Sequence, residues 1–177
     1  MRASVAENNV RELIDLIPHT FAVYGTALGA HREQHVLAHD PDTDIGILEE
    51  HFTWERITSA VQNGYRILAV FGMRHYGMEV ALEKDSVKTD IMLFYQDKNK
   101  PGYRFNCLWE NGGRNGVEDA IVHEYDERLL QTELATLGEH NIPTVGKRYL
   151  EHVYGADWRT PVTRWDWRTD HLCRRTG

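Results

Sequence analysis

The sequence predicts an α/β or α+β domain in which helices interleave with a small mixed sheet. Three observations carry this. Apolar residues recur at helical spacing near the N-terminus, residues 42–48 and 87–96 alternate with period two, and residues 52–64 return to the helical period. VAENNVRELIDLI places Val10, Leu13, Ile14 and Ile17 on one face, and Pro18 closes the helix. FAVY (21–24) is a short apolar run ending at Gly25 and reads as a buried strand. A helix over Thr26 to Arg32 follows, with Thr26 as its cap. DTDIGIL (42–48) suits a strand with Asp42, Asp44 and Gly46 on one face and Thr43, Ile45 and Ile47 on the other.

FTWERITSAVQNG (52–64) is an amphipathic helix stopped by Gly64. RILAVF follows, and then YGMEVALE and VKTDIMLFYQ form a β-hairpin around a Lys-Asp-Ser turn. In the second arm Asp90 shares a face with Lys88 and Met92. DKNKPGYRFNCLWENGGRNG reads as loop around a short Tyr103–Trp109 element, while VEDAIVHEYDERLL fits helix or strand equally. PTVGKRYLEHVYG predicts a short helix with Tyr149, Leu150, Val153 and Tyr154 as its apolar stripe and Gly155 as its stop. With the Trp- and Arg-rich tail it makes residues 143–177 a C-terminal segment packed on one domain spanning 1–177.

Composition narrows the function. The 177 residues are 41% hydrophobic and 27% charged, ordinary globular usage. A net charge of −7 argues against a nucleic-acid partner, whose phosphates demand a basic surface. Cys107 and Cys173, the only cysteines, fit a reduced cytoplasmic protein and form no Cys-rich zinc motif. No apolar run approaches the roughly 18 residues of a membrane span, and no signal-peptide pattern occurs, so a cytoplasmic location is expected.

The chemistry concentrates in HDPDTD. Aspartates at i and i+2 of a strand project to the same side, where their oxygens can share a divalent cation. Magnesium takes oxygen ligands and binds substrate phosphates as well. A third carboxylate from another strand completes a site able to hold both oxygens of an in-line phosphoryl displacement. Asp90 is the candidate, because a charge in the otherwise apolar KTDIMLF is costly unless something uses it. Gly25 and Thr26, at a strand-to-helix junction, offer backbone N–H groups and a hydroxyl to a phosphate, and Arg32, two helical turns on, reaches for the same anion. His31, His35 and His39 lack a zinc-ligand spacing and are expected at the surface or supporting the site from outside.

The order strand, Gly-Thr, helix, DxD strand and later Asp strand resembles the nucleotidyltransferase superfamily. YGTALGAHREQHVLAHDPDTDIGI is similar to the signature of the LicD/fukutin family: Gly-Thr-Leu-Leu-Gly-Ala-x-Arg, an apolar stretch, then Trp-Asp-Asp-Asp-x-Asp-Ile-Gly. Gly25, Thr26, Leu28, Gly29, Ala30, Arg32, Asp40, Asp42, Asp44, Ile45 and Gly46 fall on it without a gap. KTDIMLF looks like the family's Val-Asp-Ile-Phe strand, and IPTVGKRYLEHVYGADWRTP resembles its Tyr-Leu-x-x-x-Tyr-Gly-x-x-Trp-x-x-Pro element. His39 stands for the usual Trp and Pro41 for the central Asp, which spares both DxD positions.

The resemblance implies a nucleotidyltransferase-like fold and a Mg2+- or Mn2+-dependent transferase. Such an enzyme moves phosphocholine or an alditol phosphate from a CDP-activated donor to a sugar hydroxyl of a cell-surface glycan. Asp42, Asp44 and Asp90 are then the catalytic metal set, and Gly25, Thr26 and Arg32 the donor-phosphate set. Two rivals stand beside it. One is a nucleotidyltransferase that attaches AMP or UMP to a small hydroxylated acceptor, and the other is a silent nucleotide- or glycan-binding module.

Overall fold

Val10, Leu13, Ile14 and Ile17 are all buried, and the helix they predict is α1 (Ala3–Leu16), which packs on the sheet described below. The computed structural model describes residues 3–162 and 164–175. After α1 come β1 (Phe21–Ala22), α2 (Tyr24–Arg32), β2 (Asp42–Leu48) and α3 (Trp54–Gln62). The β3 (Arg66–Met73), β4 (Tyr76–Lys84) and β5 (Val87–Gln96) strands form a meander, followed by β6 (Tyr103–Trp109) and β7 (Ala120–Asp126). A hairpin of β8 (Thr132–Leu137) and β9 (His140–Val145) leads into α4 (Lys147–Tyr154), and the short α5 (Trp167–Asp170) lies in the tail.

The strands run in the order β3-β4-β5-β2-β1-β9-β8, with β6 pairing to the end of β5 and β7 to β6. The β2–β5 and β1–β9 pairs are parallel and the remaining pairs antiparallel, so the sheet is mixed, as the sequence predicts. The hairpin turn between β4 and β5 is tight: Asp85 and Ser86 both adopt positive φ, at 53° and 61°. Two-residue turns of this sort twist in the sense that antiparallel strands need.

The β2–β5 register matters most for function. Asp44 lies beside Asp90 and Asp42 beside Lys88. On the opposite face the buried Thr43 and Thr89 hydroxyls meet at 2.8 Å, which pins this register from behind. Next along the acidic face, Gly46 sits where a Cβ would lie 2.6 Å from Phe94 Cε2, 3.0 Å from Val23 Cγ1 and 3.1 Å from Phe21 Cε2. Gly46→Ala is therefore expected to cost about 1–3 kcal/mol through overpacking. Urea denaturation checks this, and an unchanged midpoint would mean that the aromatic layer yields freely.

Four sequence expectations change. The helix after β1 starts at Tyr24 with Val23 as its N-cap, so Thr26 lies inside its first turn and is not the cap. The ambiguous 117–130 stretch contains strand β7 followed by a turn of 3-10 helix. The β8–β9 hairpin was not foreseen, and residues 143–145 belong to β9 instead of to the C-terminal helix. Of the two alternatives for His31 the surface one fails, since its side chain is nearly buried and its Nε2 donates to the Val145 carbonyl at 2.8 Å. Among the described residues, no helix is long and apolar enough to cross a membrane.

Candidate active site

Asp44 is held at both ends of its peptide unit. Its N–H donates to the Thr26 hydroxyl at 2.7 Å, and its carbonyl accepts from the Val23 N–H at 3.2 Å. The start of α2 thus grips the DxD strand at its second aspartate. Gly25 lies against the carboxylates: a Cβ there would come within 2.1 Å of Asp40 Oδ2 and 3.5 Å of Asp44 Oδ2. The turn that delivers Gly25 is set by Tyr24, which adopts φ +43°, unusual for a bulky residue. Its buried hydroxyl lies 3.0 Å from Asn106 Oδ1, 2.9 Å from His123 Nδ1 and 2.5 Å from Tyr125 Oη, and its ring stacks on His171. These contacts offset the backbone strain.

From β5, Asp90 joins the same face. Lys88 donates to Asp90 Oδ2 at 2.6 Å and to Asp42 Oδ2 at 3.3 Å, so one ammonium links the DxD strand to the third aspartate. The other Asp90 oxygen, Oδ1, is buried and has no hydrogen-bond partner. A fifth carboxylate comes from β4. In the β4–β5 register Ala81 faces Asp90 and Glu79 faces Met92, which puts the buried Glu79 on the acidic side of the sheet.

Five carboxylates around one ammonium leave the cluster short of positive charge, and the carboxyl groups respond. Burial, then the charge of Asp42, pushes Asp40 up to about 7. Burial and the charges of Asp42, Asp40 and Asp90 hold Asp44 well above the usual carboxylate range. Burial raises Asp90 to about 6 against the pull of Lys88, and burial with the Asp90 charge raises Glu79 to about 8. Burial pulls Lys88 down, but Asp90 and Asp42 outweigh it and keep the amine firmly protonated. A further cation would let these acids ionise together.

The donor set is oxygen-only, which suits magnesium or manganese, and the orphaned Asp90 Oδ1 is an oxygen with nothing else to bind. Among the described residues, no three His, Cys, Asp or Glu side chains are already spaced to hold a metal ion. Lys88, between Asp42 and Asp90, stands where a cation would. A cleft of about 320 Å³ lined by Asp126, Arg128, Arg148 and Glu151 contains none of these five acids.

A family model described as LicD/FKTN/FKRP, nucleotidyltransferase domain, matches residues 19–131, a stretch that includes every residue of the acidic cluster. The chain belongs to this LicD family. The chain is 27% identical over 146 residues to the ribitol-5-phosphate transferase FKTN of Macaca fascicularis, covering 81% of this chain and 30% of the relative. The human protein of the same name gives 26% over 146 residues with the same coverage. The mouse protein gives 25% over 177 residues, 94% of this chain and 37% of the relative. The chain thus spans about a third of the length of the curated relatives it matches.

Within this LicD-family domain, Asp42, Asp44 and Asp90 come together on one sheet face, with Gly25 and Thr26 beside them. Arg32 does not reach them: its guanidinium pairs with Glu33 at 2.8 Å at the end of α2. His35 Nδ1 lies 3.0 Å from Glu7 Oε1, and His39 is exposed. Cys107 and Cys173 are both free and buried. Glu79 escaped the sequence reading, because only strand register brings it to the cluster. Lys88 was placed on the Asp90 face but given no role, and Asp40 keeps the two-residue spacing of the DxD pair but lies just before β2 begins at Asp42.

Proposed function

We propose that this chain is a divalent-metal-dependent transferase that moves an alditol phosphate or phosphocholine group from a CDP-activated donor to a glycan hydroxyl. The observation that carries the reading is the in-register pair Asp44 and Asp90 on neighbouring parallel strands, with Asp42 on the same face and Asp90 Oδ1 unpaired. The names of the curated relatives, ribitol-5-phosphate transferases, favour the alditol phosphate arm. Asp42, Asp44 and Asp90 are the residues that would hold Mg2+ or Mn2+. When bound, the ion supplies positive charge to the oxygens of the transferring phosphoryl group.

The chain's own groups do the rest. The Gly25 and Thr26 amides at the start of α2 receive donor phosphate oxygens, where the helix dipole favours negative charge. The acceptor hydroxyl loses its proton to a carboxylate of the cluster as its oxygen attacks the phosphorus and the bond to CMP breaks. Arg32 leaves Glu33, which is 40% exposed and gives a weak pair, for the donor phosphate. Arg32→Ala is therefore expected to weaken donor binding by about tenfold, the worth of one charge-assisted contact, and to leave acceptor binding unchanged. Calorimetric titration with CDP-ribitol reads the effect, and equal affinities in the two proteins would remove Arg32 from the site.

The leaving group tests the function. Purified protein with Mn2+ is expected to release CMP from CDP-ribitol, CDP-glycerol or CDP-choline in the presence of glycan acceptors, and no pyrophosphate from ATP or UTP. Pyrophosphate with any hydroxylated acceptor, and no CMP, would establish the AMP/UMP-transferring rival. Tight nucleotide binding with neither product would establish the silent module.

A further inference from the structure

Lys88, an ammonium among the carboxylates of the acidic face, is left without a task by the proposed chemistry. Its position is specific. It sits two residues before Asp90 on β5, opposite Asp42 in register, and its ammonium bridges Asp42 Oδ2 and Asp90 Oδ2. Its side chain is only 38% exposed. Burying an ammonium is costly unless it is paired, and here it is paired twice. The two oxygens it engages are ones that a second divalent ion between the strands would have to bridge. The oxygens of the three aspartates it leaves over are Asp90 Oδ1, which is buried and unpartnered, Asp42 Oδ1, and those of Asp44, the register neighbour of Asp90.

We propose that Lys88 is the built-in substitute for one of two metal ions, so that this site takes a single divalent cation on the Asp42, Asp44 and Asp90 oxygens that Lys88 leaves free. The inference rests on reading the cluster as a divalent-cation site and adds its stoichiometry and the residue that sets it. A two-metal site clamps both the attacking and the leaving oxygen with divalent charge. Here one of those charges is an ammonium fixed to β5, which pairs with both Asp42 and Asp90 and can donate a hydrogen bond to a phosphoryl oxygen. Because Lys88 is carried on the same strand as Asp90, it arrives with the fold and is independent of the metal supply.

Manganese counting decides this. Mn2+ alone is titrated into the full chain, bound ions are counted by equilibrium dialysis, and the electron paramagnetic resonance spectrum is recorded. The wild type and Lys88→Arg are expected to bind one Mn2+ per chain with an uncoupled six-line spectrum. Lys88→Met keeps the apolar stem and loses the charge, and it is expected to bind two, with the exchange-broadened spectrum of ions a few ångströms apart. Two ions in the wild type would overturn the proposal and leave the metal site intact, and so would a single ion in Lys88→Met. No bound ion in any of the three proteins would overturn the metal site and the proposal together. The wild-type count stands by itself if Lys88→Met does not fold.

Discussion

Replacing Asp44 by Asn is expected to lower CMP release by about a thousandfold or more while the protein still folds. The rate falls because Asp44 stands at the centre of the cluster, beside Asp90 in register and against Gly25, and an amide cannot replace a carboxylate on a divalent ion. The fold survives because the backbone of Asp44, not its carboxylate, is what Thr26 and Val23 hold. In metal-free buffer above neutral pH the variant is expected to melt higher than the wild type, since one source of like-charge repulsion is gone. Asp15→Asn is the control: its carboxylate pairs with Arg11 on the exposed face of α1, and its loss should move neither rate nor stability appreciably. An Asp44→Asn protein with near-normal turnover at saturating Mn2+ would place the chemistry elsewhere.

The second large effect is a dependence of stability on pH that a divalent ion abolishes. Asp40, Asp90 and Glu79 hold their protons to about 7, 6 and 8 in the folded protein, well above the range near 4 of an unfolded carboxyl group. Between those limits the folded state binds more protons than the unfolded one, so stability must fall as pH rises. The penalty is absent below about pH 4 and complete only above about pH 9, once Glu79 has lost its proton. For the buried Asp90 and Glu79 together it amounts to something on the order of several kcal/mol. Melting curves of metal-free protein from pH 5 to pH 9 are expected to show this decline, and saturating Mn2+ is expected to flatten it. A metal-free protein whose stability is constant or rises over that range would mean that the cluster does not carry uncompensated negative charge.

Much of the acidic face was legible because period two is a strong rule. DTDIGIL and KTDIMLF each put their aspartates on a definite side, and only the pairing of the two strands was left to the fold. Glu79 was hidden for the same reason that Asp90 was visible. In YGMEVALE a glutamate alternating with apolar residues looks like the wet side of an ordinary hairpin, and only the register set by the Asp85-Ser86 turn shows that it faces the cluster. The start of α2 was misplaced because local rules favour Thr26 as a cap and forbid Tyr24 at positive φ. The buried contacts of the Tyr24 hydroxyl with Asn106, His123 and Tyr125, all far along the chain, override them. The β8–β9 hairpin escaped because β8 is a largely exposed edge strand with a weak hydrophobic signal, and Pro143 interrupts the short β9.

The most direct measurement is the anomalous diffraction of crystals grown with Mn2+ and CDP-ribitol. One manganese peak is expected, bonded to carboxylate oxygens of Asp42, Asp44 and Asp90, with the donor diphosphate beside it and against the Gly25–Thr26 turn. A manganese peak away from these aspartates, or a donor seated instead in the cleft of Arg128 and Arg148 with the acidic face bare, would contradict it.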